Sequence, residues 1–168
     1  MKLTGTKEEL IVLLAKTELV SGKVYEMEVT DPDKRSLTAN RYYWKLATLF
    51  ARYEKRSLAY IHNDIMEHYG EAEFIDGHPV WLVMADNDKY KELSYIHLKP
   101  TSQVKFGADG TAYRTYVKMV NSHEMTTAQF SRLIDGLIQE IKASEAPIET
   151  MTPMELEQLA GYEAITRQ

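Results

Sequence analysis

The apolar positions of this chain follow a helical period at both ends and a strand-like period in between. Thr6 stands three residues before Glu9, a capping-box spacing, and the apolar-rich stretch 6–19 that follows predicts a short helix. Gly22 breaks that pattern, residues 23–29 alternate as a strand would, and Asp31-Pro32-Asp33 supplies a turn. Placed on a wheel of about 100° per residue, Thr38 to Glu54 gathers Ala39, Tyr43, Leu46, Phe50 and Tyr53 on an arc that would face a core. Ser57 then reads as the N-cap of a second helix, Leu58 to Tyr69, which Gly70 ends.

From Glu71 to Val120 the pattern changes to short β-prone runs separated by turn residues. Asp76-Gly77 lies between two such runs and predicts a hairpin, with Pro79 suited to a strand start or an edge. The charged segment 86–92 reads as a loop or a short helical turn. Residues 93–98 and 112–120 are the next strand candidates, joined through the turn at Gly107 to Gly110. Alternation along the last run puts Arg114, Tyr116 and Lys118 on one face and Tyr113, Thr115, Val117 and Met119 on the other.

Thr126 and Gln129 again have capping-box spacing, and Phe130, Leu133, Ile134, Leu137, Ile138 and Ile141 share one face of a helix over 127–144. Pro147 interrupts it. Thr152, Pro153 and Glu155 then make an N-cap, an N1 proline and the partner that closes a third capping box. The expected architecture is a single α+β domain, a small antiparallel sheet flanked by N-terminal and C-terminal helices. A basic helical region covers about 34–69, the sheet about 71–120 and the C-terminal helices about 126–165.

Charge changes the picture at one place. The 168 residues carry 20 Lys and Arg against 25 Asp and Glu, a formal net charge of −5, yet Lys34 to Tyr60 holds seven basic residues, one Glu and six aromatic rings. On the same wheel Arg41, Lys45 and Arg52 fall within roughly 40° of one another, opposite the core arc, with Trp44 off that arc and towards the basic stripe. A basic stripe with rings beside it suits phosphates and bases, and an ordinary solvated face with core tyrosines is the plainer alternative. Tyr43, Phe50 and Tyr53 read as core. The candidate nucleic-acid-binding residues are therefore Lys34, Arg35, Asn40, Arg41, Trp44, Lys45 and Arg52 from the helical region, with Arg114, Tyr116 and Lys118 from the sheet. Acidic residues dominate from Glu140 onward and could form a solvated face, a protein-docking surface or a competitor for the basic segment.

Catalytic chemistry finds less support. With no cysteine there is no thiolate zinc site, thiol nucleophile or disulfide, which fits a reducing compartment; no run is long enough to span a bilayer, and the expected location is cytoplasmic. GxxxxGK[ST], GxGxxG, HExxH and GxSxG are all missing. The five histidines are scattered, and Asp64 with His68 at i and i+4 offers two metal ligands at most, so no catalytic residue, metal or cofactor is expected.

RSLTANRYYWKL, residues 35 to 46, resembles the RSLxxNRxxW signature near the start of NinB/Orf-type phage recombination proteins. It is more similar still to phage and prophage proteins that share an RSLxAN motif and that end in SH, then EMSRLIDG, then IETMTPxELE. Here Ser122-His123, SRLIDG at 131–136 and IETMTPMELE at 148–157 follow that order. The resemblance implies a homodimer that binds single-stranded DNA, contacts a host single-strand-binding protein or recombinase, and assists homologous recombination in the host cytoplasm. It also implies that Arg35, Asn40, Arg41 and Trp44 lie at or near the heart of the module. Two alternatives stand beside this expectation: a phage accessory factor that docks on a host protein, and a metal-dependent nuclease built on Asp64 and His68.

Overall fold

The computed structural model describes residues 6–16, 37–159 and 161–162. The strand expected over 23–29, the turn at Asp31-Pro32-Asp33 and the candidates Lys34 and Arg35 lie outside the described residues. The chain separates into two compact units, Met1–Thr30 and Asp31–Gln168. In the first, helix α1 (Lys7–Lys16) starts at the expected capping box: the Thr6 amide donates to the Glu9 carboxylate at 2.7 Å and the Glu9 amide to Thr6 Oγ1 at 3.3 Å.

The second unit is α+β. Helices α2 (Leu37–Glu54) and α3 (Leu58–Tyr69) precede two small antiparallel sheets, and α4 (Thr127–Ala143) and α5 (Pro153–Gln158) follow them. Periodicity explains α2: Ala39, Tyr43, Leu46 and Phe50 are buried, joined by Ala47 and Ala51. Tyr53 departs from the expected core arc. It lies exposed at the helix end and donates its hydroxyl to the Ser144 carbonyl at 3.3 Å, while Ala47 and Ala51 are buried on the adjoining side of α2. Ser57 caps α3 as expected, accepting from the Tyr60 amide, and Gly70 ends it. Apolar faces of α2, α3 and α4 meet in the main core, which Leu156 of α5 joins.

Helices α2 and α4 end alike. After α2 the Arg56 amide reaches the Ala51 carbonyl and the Lys55 amide that of Arg52; after α4, Ala146 reaches Ile141 and Glu145 reaches Lys142. These are Schellman closures, yet the left-handed position usually given to glycine holds Lys55 in one (φ 55°) and Glu145 in the other (φ 54°).

Strands β1 (Phe74–Ile75) and β2 (His78–Pro79) form the expected hairpin, with Asp76 and Gly77 at φ 49° and 77°, the paired positive angles of a type I′ turn. The larger sheet has the order β3-β5-β4, from β3 (Trp81–Ala85), β4 (Leu98–Phe106) and β5 (Ala112–Lys118), all antiparallel. Residues 93–97, expected as strand, instead form a connector after a 3-10 turn at Asp88–Glu92, while β4 runs on to Phe106. The side-chain amide of Asn63 on α3 holds that connector, donating to the carbonyls of Lys91 and Leu93. A small second core of Tyr90, Leu98 and Tyr116 lies beneath the sheet.

Candidate nucleic-acid interface

Helix α2 positions the basic stripe. Arg41, Lys45 and Arg52 are all exposed, and none of the three makes an ion pair among the described residues. Asn40 and Trp44 stand one turn apart on the same helix, where Trp44 Nε1 donates to Asn40 Oδ1 at 3.0 Å. Trp44 is half-buried rather than open, its ring 4.6 Å from that of His62 and edge-on to Tyr43 at 5.2 Å.

Behind Trp44 lies a buried polar cluster that folding assembles from distant positions. The Tyr43 hydroxyl lies 2.7 Å from His62 Nδ1. Burial pushes the Tyr43 hydroxyl far above the ordinary tyrosine range, so the phenol stays protonated within this hydrogen bond. The His62 and His97 rings meet edge to face at 4.7 Å. His97 Nδ1 donates to Asn63 Oδ1 at 2.6 Å, the direction fixed by the amide group of Asn63 being spent on the Lys91 and Leu93 carbonyls. Desolvation, with a smaller contribution from His123, holds the His97 imidazole below its ordinary value. The sequence carries one signal for this cluster, the polar pair His62-Asn63 inside the apolar face of α3, but not which strand would meet it.

The second expected surface is corrected. Tyr116 is 1% exposed and sits with Tyr90 in the small core, so it offers no ring face to a base. Arg114 is turned to Asp86 by two hydrogen bonds of 2.7 and 2.9 Å and to the Thr101 carbonyl at 2.5 Å. That pairing holds the Asp86 carboxyl below the usual carboxylate range. Lys118 lies 2.6 Å from Glu73. The face of β5 that bears these three residues points towards the 3-10 turn and the small core, because Tyr116 supplies the bulk that fills it. Its opposite face is the open one, where Tyr113 of β5 stands with Trp81 and Val83 of β3, all exposed.

Both residues of the metal alternative have hydrogen-bond partners within the chain. Asp64 accepts from Lys91 at 2.5 Å, and His68 Nδ1 donates to the main-chain carbonyl of Asp64 at 2.8 Å. Among the described residues no three His, Asp or Glu side chains gather as a metal site, and no helix is long and apolar enough to cross a membrane. Neither the family models, nor the curated proteins, nor the solved structures contain a match to this chain.

Proposed function

We propose that the chain is a phage-derived single-stranded DNA-binding protein that assists homologous recombination as a homodimer, without catalysis of its own. The observation that carries the reading is the exposed stripe of Arg41, Lys45 and Arg52 along α2, without an ion pair among the described residues, in a chain of net charge −5. A stripe without carboxylate partners keeps its charge for an outside polyanion, and each phosphate it neutralises releases a counterion. The RSLTAN resemblance supports the same class of ligand and supplies the expectation of a homodimer and of a host single-strand-binding protein or recombinase as partner. Lys34 and Arg35, just before α2 in the sequence, extend the run of positive charge.

Fluorescence anisotropy with a labelled single-stranded oligonucleotide tests the reading. Binding is expected at low salt and falls steeply as salt rises. No binding at low salt, or full binding by an R41E/K45E/R52E variant, would overturn it.

A further inference from the structure

The open face of the larger sheet combines rings and cations in register. Trp81 is 53% exposed, Val83 66% and Tyr113 38%, and Ala85 is exposed beside them. Pairing places Trp81 opposite Val117, and Val117 opposite Lys99 on the other side; it places Ala85 opposite Tyr113, and Tyr113 opposite Lys105. One row across the sheet therefore reads Trp81, Val117, Lys99 and the other Ala85, Tyr113, Lys105. Each row has one flat ring and one exposed ammonium, and neither lysine makes an ion pair among the described residues. The rows stand about 13 Å apart by the rise of a β-strand. No carboxylate occupies any position of either row.

The geometry points to a stacking platform for single-stranded nucleic acid on this face, in which Trp81 and Tyr113 receive bases while Lys99 and Lys105 meet the adjoining phosphates. The inference rests on the single-strand reading above and gives it a second surface, since the stripe on α2 supplies cations but its one tryptophan is held against His62. A ring and a cation in each row match the repeating unit of a polynucleotide, an aromatic base and an anionic phosphate. A second copy of the chain fits less well. Self-complementary pairing through this face would cover the lysines of both copies with no carboxylate in either row to pair them.

Variants W81A, Y113A and K99E/K105E, compared with R41E/K45E/R52E in the same anisotropy titration, test the platform. Each ring deletion is expected to weaken binding roughly 5- to 100-fold, and the double lysine reversal to make the log–log salt dependence shallower by about 1.4. In a W44F protein Trp81 is the sole indole, and its fluorescence is expected to quench on titration with oligo(dT). Circular dichroism of each variant checks that the fold is retained. If the sheet variants bind as tightly as the parent while the stripe reversal abolishes binding, the platform is overturned and the stripe stands. If the stripe reversal changes nothing while the ring deletions do, the platform stands and the role given to α2 fails. Oligonucleotide binding absent at low salt removes both. Sedimentation showing that W81A lowers the mass without altering oligonucleotide affinity would assign the face to a second copy and overturn the proposal.

Discussion

His97 and Asn63 hold the connector before β4 against helix α3, His97 Nδ1 donating to Asn63 Oδ1 at 2.6 Å while the Asn63 amide group donates to the Lys91 and Leu93 carbonyls at 2.7 Å each. Three partners converge on one buried side chain. Asn63→Ala strands an imidazole N–H and two carbonyls together, and an expected loss of about 2–3 kcal/mol follows from leaving buried polar groups unmade. Urea unfolding measures it; a loss below about 0.5 kcal/mol would mean that these bonds contribute little net stability.

The same imidazole makes stability depend on pH. His97 is held below its ordinary value in the folded chain, chiefly by desolvation. Below about pH 6.5 the unfolded chain binds a proton that folded His97 does not, so this contribution is complete above that pH and declines as the solution is acidified. The melting temperature is expected to drop between pH 7.5 and 5.5, and the drop is expected to be smaller in His97→Gln. Parallel profiles for the two proteins would refute the assignment.

Gly136 of α4 lies against the Tyr69 ring of α3, where an added Cβ would fall 2.3 Å from Cγ and 2.4 Å from Cδ2. Alanine would gain about 1 kcal/mol of helix propensity. Overpacking costs about 1–3 kcal/mol, and here the ring is also tied down by its hydroxyl, which donates to Glu140 at 2.7 Å. Crowding wins, so Gly136→Ala is expected to destabilise by up to about 2 kcal/mol net in chemical denaturation.

Lys55 and Glu145 occupy left-handed positions that glycine fills without steric strain. Lys55→Gly and Glu145→Gly are each expected to raise stability by about 0.5–1 kcal/mol, the relief of the left-handed strain less the added freedom of the unfolded glycine. Calorimetry that finds both variants less stable than the parent would contradict the Schellman closures.

For the stripe on α2, reversing three contacts should be visible in the salt dependence as well as in the affinity. With about 0.7 counterions released per phosphate on a single strand, R41E/K45E/R52E is expected to flatten the log–log slope by about 2. Weaker binding at an unchanged slope would indicate damage to the fold rather than lost phosphate contacts.

Helices were largely legible from the residues, because a 3.6 period and local caps are short-range signals. Thr6, Ser57, Thr126 and Thr152 each cap where their spacing predicts. Strand β4 was hidden: its KPTSQVKF stretch is polar, lies at one side of the sheet order and tolerates Pro100 there. The facing of β5 was equally hidden, since tyrosines occur on both alternating sets and only the 3-10 turn, through Tyr90, decides that Tyr116 goes inside. His62 and His97 meet only after α3 and the connector have docked, so no local spacing could announce them. For the basic stripe, the sequence located the cations, but the engagement of Trp44 with Asn40 and His62 required the packed neighbour.

Strand β4 regains its partner after an irregularity: Pro100 faces Tyr116 and Val104 faces Arg114, so 101–103 stand against Thr115 alone. Two extra residues are an even step in a structure of period two. The phase of the strand survives, and Lys105 returns to the side that Lys99 occupies. A single-residue insertion or deletion within 101–103 would be an odd step. It would move Lys105 to the opposite face and set Val104 or Phe106 in its place, exchanging a charge for an apolar side chain at one end of the ring-bearing face without touching Trp81 or Tyr113.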